Sequence, residues 1–429
     1  MRRLVILGAG TAGTIAANKM RKRLSRSEWD MTIVEQAPLH DYQPGYLFLA
    51  FGGQKPRQIR KPVERLLPKG VTLVRGSVAE LKRDDKTVVL EDGATLPYDY
   101  LVIATGVSPR PDQTPGMDGS LWKDSIHSFY TFESALDLEA KLDGWEGGRL
   151  VVHVTEMPIK CPVAPLEFAF LADSFFKRRK MRDKVSITYV TPLPGAFTKP
   201  VAASTLGDML GDRGIEVESD FMVERIDEDA RSLVSYDERE VPFDLLVTVP
   251  LNMGADFVGR SGLGDELNLV EVDRETLLSR DDSIFAIGDA TNVPTSKAGA
   301  VAHFQMDLLP DIFLDHIAGK EAEKRFDGHA MCFVESGGGK GLLLDFNYEV
   351  EPLPGSFPLP VLGPLRLLKE SRLNHWGKLL FRYAYWILLL PGRYIPMSAH
   401  LSLRGKRRPK TTPTPSERTD HAYSDHART

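Results

Sequence analysis

Short apolar runs alternate with segments of helical composition along most of the chain. Residues 4–7 and 31–34 have the pattern of buried strands, and residues 14–24 between them have the composition of a helix. Two further apolar runs, 149–154 and 185–190, have strand character in the middle of the chain. Strands that alternate with helices favour a parallel sheet with helices on its faces. The pattern predicts an α/β fold with two Rossmann-like domains.

A glycine-rich turn joins the first strand to the first helix. Gly8, Gly10 and Gly13 follow the apolar run, and Glu35 ends the second strand 22 residues after Gly13. In a dinucleotide-binding turn the first glycine permits the tight turn, the second lets backbone approach a pyrophosphate, and the third lets helix and strand pack closely. An acid at the position of Glu35 accepts hydrogen bonds from a ribose hydroxyl. This order of strand, turn, helix and acid predicts a dinucleotide site.

Two later segments indicate which dinucleotide binds. Residues 96–106 and 283–289 each form a predicted strand that ends in a turn. The turns carry small residues and one carboxylate, namely Thr105, Gly106, Gly288 and Asp289. The three motifs, in this order, resemble those of the two-dinucleotide flavoproteins, where such segments flank FAD. The resemblance implies FAD as the cofactor.

The corresponding turn of the second domain lacks the glycine motif. No glycine occurs between Gly148 and Gly195, and three prolines lie in residues 155–167. The next strand ends in Thr191 and offers no acid for a ribose. Because backbone amides in such a turn would have to hold a pyrophosphate, we expect a nicotinamide cofactor to bind poorly. The turn carries Cys161 instead, one of two cysteines in the chain.

Positive charge is concentrated near the C-terminus. The net charge is −5, but residues 366–410 contain eleven Lys or Arg and one acid, Glu370, so this stretch carries +10. The apolar run 383–391 inside it is far shorter than the roughly 20 residues that a spanning helix needs. Aromatic and leucine side chains flanked by Arg and Lys are typical of a helix that lies among lipid headgroups. A C-terminal core helix with a solvated basic tail is the alternative, and the acidic remainder disfavours nucleic acid.

Four segments resemble the sulfide:quinone oxidoreductases and their relative, the flavin subunit of flavocytochrome c sulfide dehydrogenase. They are residues 42–49 (YQPGYLFL), 160–167 (KCPVAPLE), 332–335 (CFVE) and 375–381 (HWGKLLF). The cysteine segment is the most specific of the four. The last segment corresponds to the quinone and membrane region that the cytochrome-linked relatives lack.

The resemblance implies a redox site at Cys161 and Cys332. In this family the two cysteines bridge above the flavin, as a disulfide or with extra sulfur between them, and sulfide attacks the bridge by thiol exchange. Glu167, six residues after Cys161, is the candidate carboxyl for moving protons. The quinone side falls on Phe333 and Phe381, and Lys378 corresponds to a residue that reaches both the flavin and the quinone, so it is a candidate FAD-binding residue as well. Buried free thiols and core phenylalanines are the alternatives.

One departure from the family pattern bears on the cofactor. Many members carry a third cysteine in the region of residues 121–131, and none occurs here. We therefore expect FAD to be held noncovalently, and the sulfur product stays open. Lys297 is a candidate for the pyrimidine edge of the flavin, where positive charge favours the reduced anion, with a surface lysine as the alternative.

These inferences predict an FAD-dependent sulfide:quinone oxidoreductase that forms polysulfide or sulfane sulfur and reduces a membrane quinone. The alternatives are an NADH:quinone oxidoreductase, a cytochrome-linked sulfide dehydrogenase flavoprotein and a non-catalytic flavin sensor. The expected divisions are residues 1–115 and 270–330 for the FAD domain, 116–269 for the second Rossmann-like domain, 331–405 for a quinone and membrane-surface region, and 406–429 for a disordered tail.

Two expectations concern where the protein resides. With no signal peptide ahead of Val5 and only two cysteines, we expect a reducing compartment and a peripheral, monotopic association with the cytoplasmic face of a membrane. No metal site is expected, and a homo-oligomer is left open.

Overall fold

The computed structural model describes residues 1–407. The predicted tail, 406–429, lies outside the described residues except for its first two positions. Lys406 is buried and its ammonium pairs with Asp345 at 2.6 Å, and the Arg407 N–H donates to the Pro354 carbonyl at 2.8 Å. The folded chain therefore continues through residue 407.

The first 110 residues contain the glycine turn, its flanking strands and a set of short elements. In chain order these are β1 (Arg2–Leu7), α1 (Thr11–Arg23), β2 (Trp29–Glu35), β3 (Leu39–Asp41), α2 (Gly45–Leu49), α3 (Pro56–Ile59), β4 (Arg60–Pro62), β5 (Thr72–Arg75), β6 (Val78–Lys82), β7 (Thr87–Leu90), β8 (Thr95–Pro97), β9 (Tyr100–Ile103) and β10 (Ser108–Arg110).

The middle of the chain forms the second set of alternating strands and helices. It comprises β11 (Ile126–His127), α4 (Phe132–Gly144), β12 (Gly148–Val154), α5 (Ala164–Arg178), β13 (Val185–Val190), α6 (Pro200–Gly211), β14 (Ile215–Glu218), β15 (Val223–Asp227), β16 (Ser232–Ser235), β17 (Glu240–Pro242), β18 (Leu245–Val249), β19 (Leu251–Met253) and α7 (Asp256–Arg260).

The last part of the described chain returns to the first domain and then adds a third sheet. It comprises β20 (Ile284–Ala286), α8 (Gly299–Ile317), β21 (Ala330–Gly337), β22 (Lys340–Phe346), β23 (Gly355–Phe357), β24 (Leu365–Leu367), α9 (Arg372–Ala384) and a π-helical turn (Tyr385–Leu389).

Two parallel five-stranded sheets form the centres of the two Rossmann-like units. The first has the order β20-β9-β1-β2-β5 and the second β11-β18-β12-β13-β14. Their inner strands, among them β1, β9, β12 and β18, are apolar and largely buried, which suits sheets covered on both faces, whereas the edge strands β5 and β14 are partly exposed. Because parallel strands share a direction, the segments that follow β1, β9 and β20 meet at one edge of the first sheet.

The first domain is interrupted by the second in sequence. Strand β20 pairs with β9 although about 180 residues separate them, and α8 packs against α1, where Lys19 pairs with Asp307. The first sheet is therefore completed by a strand that follows the whole of the second sheet in sequence.

A four-stranded sheet of order β21-β22-β24-β23 carries the C-terminal helix. Helix α9 lies on β21 and β22, and α5 of the second domain packs against β21 from another side. Among residues 1–407, no helix is both long enough and apolar enough to span a bilayer. Strand β21 is therefore the element through which α5 and α9 approach each other.

Candidate active site

The glycine turn after β1 has the backbone that a pyrophosphate site requires. Gly8 has φ +94°, a conformation that favours glycine. A Cβ on Gly13 would collide with the Gly8 carbonyl oxygen, whereas a Cβ on Gly10 would meet open space within 4 Å. Gly13 thus permits the helix to pack on the strand, and the space at Gly10, the N-cap of α1, is free for a ligand.

Glu35 closes the same turn from β2. Its Oε2 accepts the Ala9 N–H at 2.7 Å and its Oε1 accepts the Ala37 N–H at 2.8 Å. Each carboxylate oxygen keeps a further lone pair, so the predicted bond to a ribose hydroxyl stays a prediction.

The turns after β9 and β20 face the glycine turn across the sheet edge. Gly106 and Gly288 both have φ +67°, and the buried Thr105 hydroxyl has no hydrogen-bond partner among residues 1–407. Burial raises the pKa of Asp289, while the Lys297 ammonium opposes this shift. The unpartnered hydroxyl and the half-buried carboxylate are polar groups that a bound cofactor would satisfy.

Lys297 is buried, so the surface-lysine alternative is wrong. Its ammonium donates to the carbonyls of Asp289 at 3.1 Å and Thr291 at 2.6 Å. Burial lowers its pKa to about 8, with Asp289 opposing. Its own carbonyl accepts the Cys161 N–H at 2.6 Å, so this residue joins the FAD-side turn to the cysteine turn.

Cys161 lies in a tight turn between β12 and α5. Its φ is +52°, which is rare for a residue other than glycine. The Ala164 N–H donates to its carbonyl at 2.8 Å, and the Tyr130 hydroxyl approaches the same carbonyl at 3.3 Å. A strained backbone held from several sides is typical of functional sites.

Cys332 lies on β21, and both cysteines are free thiols in the structure. Burial, reinforced by the Glu167 carboxylate, raises the pKa of Cys161 to about 12. Burial also raises the pKa of Cys332, and the next cause is the charge of Cys161. Burial therefore disfavours the thiolate at both cysteines in their reduced form.

A buried ion pair lies beside the cysteines. Glu167, in the first turn of α5, is 1% exposed and pairs with Lys378 of α9. The Glu167 Oε1 also accepts the Glu335 N–H, and the Lys378 ammonium donates to the Phe333 carbonyl at 3.2 Å. Burial raises the pKa of Glu167, and the Lys378 ammonium opposes that shift. Sequence reasoning identified both residues but did not predict that they pair.

Glu335 and His375 form a second pair that sequence reasoning missed. The His375 Nδ1 lies 2.8 Å and 2.9 Å from the two carboxylate oxygens of Glu335. The Glu335 side chain is buried and His375 is half-buried. Both residues lie in segments that resemble the family, but residue type alone did not assign them a role.

Of the two predicted quinone phenylalanines, Phe333 lies on β21 and Phe381 lies on α9. A Cβ on Gly377 would lie 3.0 Å from the Phe333 ring, so that ring packs against α9. The Phe381 ring lies beside Tyr42, with 6.4 Å between centroids. Lys378 lies between Gly377 and Phe381 in sequence, so the predicted quinone residues gather where β21 meets α9.

A buried chain of hydrogen bonds joins the glycine turn to the C-terminal segment. His40 Nδ1 donates to the Ala9 carbonyl at 2.8 Å, which leaves Nε2 to accept from the Tyr385 hydroxyl at 2.6 Å. The Tyr385 oxygen then accepts from the Thr11 hydroxyl at 2.7 Å. Burial lowers the pKa of His40, so the neutral ring that this arrangement requires is favoured. The sequence motifs gave no signal for this link.

The fold, the glycine turn and the cysteine turn together define a class of flavoprotein. Residues 2–303 match the family model described as pyridine nucleotide-disulphide oxidoreductase, so the chain belongs to this family. The predicted α/β fold is confirmed.

Two relatives and one solved structure are similar to this chain over most of its length. The mitochondrial sulfide:quinone oxidoreductase of Dictyostelium discoideum is 27% identical over 399 residues, which cover 91% of this chain and 86% of that protein. The Mus musculus protein of the same name is 26% identical and covers 83% and 80%. The X-ray structure of the Aquifex aeolicus sulfide:quinone oxidoreductase aligns with a TM-score of 0.78 at 20% identity, over 92% of each chain. The predicted family resemblance is confirmed.

FAD is the cofactor of this family, and the residues present fit it. The open space at Gly10 admits a pyrophosphate, and the Thr105 hydroxyl lacks any other partner. The predicted binding residues Gly8, Gly10, Gly13, Thr105, Gly106, Gly288 and Asp289 all lie at one edge of the first sheet.

Proposed function

We propose that the protein oxidises sulfide and reduces a membrane quinone by means of FAD and a redox bridge between Cys161 and Cys332. The observation that carries this proposal is the turn after β12, where Cys161 stands in place of a second glycine motif. Its contact with Lys297 and its position beside the Glu167–Lys378 pair connect it to the FAD side and to α9. Relatives that match this chain over 86% and 80% of their own length carry this activity in their names.

The sulfur step is a thiol exchange. A hydrosulfide ion attacks one sulfur of the Cys161–Cys332 disulfide, forms one new S–S bond as a persulfide, and displaces the other cysteine as a thiolate. The Lys378 ammonium lowers the pKa of Cys161 against the effect of burial, so it favours the thiolate that this step releases. A bound FAD would supply the two-electron redox chemistry between sulfide and quinone, and Gly10, Thr105 and Asp289 would help to hold it.

Glu167 is placed to handle the protons of these steps. Both of its described hydrogen bonds fall on Oε1. Among residues 1–407 no donor is within hydrogen-bond range of Oε2, so that oxygen is free to take up or release a proton. Lys378, Phe333 and Phe381 are the proposed quinone residues, because an ammonium and two aromatic faces suit a planar ring with two carbonyl oxygens.

Helix α9 supports attachment to a membrane surface. Five exposed apolar residues follow each other at alternating steps of three and four, and we call them the apolar stripe: Leu373, Trp376, Leu380, Tyr383 and Ile387. This spacing places all five on one face of the helix. Exposed cations flank the stripe at Arg372 and Arg393, and neither has a carboxylate within ion-pair distance among residues 1–407. We propose a monotopic association with the cytoplasmic face of a membrane through this stripe.

Anaerobic flavin absorbance tests the proposal. Purified protein is mixed with sulfide or with NADH, and a soluble quinone is added afterwards. We expect sulfide to bleach the flavin, quinone to restore it, and Cys161→Ala to abolish bleaching while retaining FAD. Bleaching by NADH but not by sulfide would identify an NADH:quinone oxidoreductase, and bleaching by neither would favour a flavin sensor. A bridge predicts thiols that react only after reduction, whereas idle thiols react without it.

A further inference from the structure

A separate cavity of about 530 Å³ lies beside the end of the apolar stripe. Its walls come from α1, from β4 with the residues that follow it, and from the segment after the π-helical turn. Neither cysteine borders it, and neither do Glu167 and Lys378. The cavity is therefore distinct from the proposed sulfide and quinone sites.

One side of the cavity is cationic. Arg60, Lys61 and Arg65 line it, and no acidic residue does. Arg60 is compensated, because it pairs with Asp41 at 2.7 Å. Lys61 and Arg65 have no carboxylate within 4.0 Å in the part of the chain that the structure describes, and the Lys61 ammonium lies 4.5 Å over the Trp386 ring. Two uncompensated positive charges thus border one space.

The cavity also has apolar lining residues, namely Leu66, Leu67 and Leu390. Leu390 directly follows the π-helical turn, which carries Ile387 of the apolar stripe. A ligand in this cavity would touch the proposed membrane surface at its apolar end and two cations at its polar end.

We propose that the cavity binds one anionic glycerophospholipid, with its phosphate between Lys61 and Arg65 and the start of an acyl chain along the leucines. A free phosphate ion would use only the cationic side, whereas a phospholipid uses both. The anionic lipid is preferred because the uncompensated charge is positive. This inference rests on the proposed membrane attachment and is independent of the sulfide chemistry.

Vesicle flotation tests the inference with the FAD-loaded full chain. Vesicles of phosphatidylcholine alone are compared with vesicles that also contain phosphatidylglycerol. The double variant Lys61→Gln/Arg65→Gln should bind the mixed vesicles roughly 30-fold more weakly, which is two charges at about 1 kcal/mol each, and bind phosphatidylcholine as before. The matched control Lys55→Gln/Arg57→Gln removes one Lys and one Arg from exposed positions outside the cavity, and should lose no more than a few-fold.

Three outcomes would overturn the inference. Equal weakening by both double variants would mean that surface charge alone acts. Displacement of mixed vesicles by low concentrations of inorganic phosphate or glycerol phosphate would identify a soluble phosphate as the ligand. If Leu380→Glu, which alters the stripe, leaves binding to both vesicle types unchanged, the membrane attachment itself fails, and that result does not bear on sulfide oxidation. Retained FAD content shows that each variant is folded.

Discussion

Cys161 combines a rare backbone conformation with a thiol that resists ionisation. Its φ is +52°, and burial together with the Glu167 carboxylate raises its pKa to about 12. A reduced protein therefore holds Cys161 as the thiol, and the thiolate exists mainly when exchange releases it. Because the thiol is a poor nucleophile, reduced Cys161 reacts slowly with other electrophiles.

The effect of the Glu167 charge on the pKa of Cys161 can be tested directly on the reduced protein. In Glu167→Gln the negative neighbour is gone and Lys378 loses its partner, so the pKa of Cys161 falls. We expect site-resolved alkylation of Cys161 by iodoacetamide to accelerate about tenfold for each unit by which the pKa falls. Mass spectrometry of the labelled peptide gives the rate. Glu156→Gln, an exposed carboxylate in the same loop, should leave it unchanged, and slower labelling in Glu167→Gln would contradict the assignment.

The Glu335–His375 pair should contribute to stability because its carboxylate is buried. His375→Ala leaves that charge without its partner, and we expect a loss of about 1–3 kcal/mol in the free energy of unfolding. In a Glu335→Gln background the same substitution should cost clearly less, since no buried charge remains. Urea unfolding of the four proteins measures the coupling, and strictly additive costs would show that the pair is not coupled.

At the scale of single elements, α9 serves two surfaces at once. Its inner side places His375 and Lys378 against β21, one helical turn apart. Its outer side carries the apolar stripe. The sequence predicted a membrane-facing segment from charge and from the run 383–391, but the observed stripe begins at Leu373, where charged and polar residues interrupt the apolar pattern. Helical spacing, not local apolar density, defines the face.

The apolar stripe gives a prediction in which membrane binding weakens while the stability of the fold hardly changes. Leu380 is 59% exposed, so Leu380→Glu should change the free energy of unfolding by no more than about 0.5 kcal/mol. Binding to phosphatidylcholine vesicles should weaken about 10- to 100-fold, because a buried leucine is worth about 1.5–3 kcal/mol. Flotation measures this loss. Met222→Glu, at an exposed site of the second domain, is the control and should bind like the unaltered protein.

At the scale of the whole molecule, the sequence predicted the structural features that depend on residues close together in the chain. The glycine turn, the two later FAD-side turns and the cysteine turn each rest on contiguous residues, and the α/β fold that they imply is confirmed. The pairing of Glu167 with Lys378 rests on how α5, β21 and α9 come together, across 211 positions. Periodicity places a residue on a face but does not give its partner on a distant element, so Glu335, His375 and Tyr385 escaped prediction.

The Tyr385 link predicts that the C-terminal segment supports FAD binding. Tyr385→Phe removes a hydroxyl that bonds both His40 and Thr11, next to Gly10. We expect about 1–3 kcal/mol of lost stability, seen in part as several-fold weaker retention of FAD. Flavin fluorescence during dilution or dialysis measures retention. Tyr383→Phe removes an exposed hydroxyl from the same helix and should retain FAD normally, so equal losses in the two variants would refute the link.

The same bond sets an order of events during synthesis. Thr11 leaves the ribosome 374 positions ahead of Tyr385. At about 5–20 residues per second, the glycine turn waits roughly 20 to 75 seconds for the hydroxyl that completes its hydrogen bonds. Strand β20 also arrives late, so the first domain stays incomplete while the second is being made. Nascent chains should therefore acquire firmly held flavin only after Tyr385 has emerged.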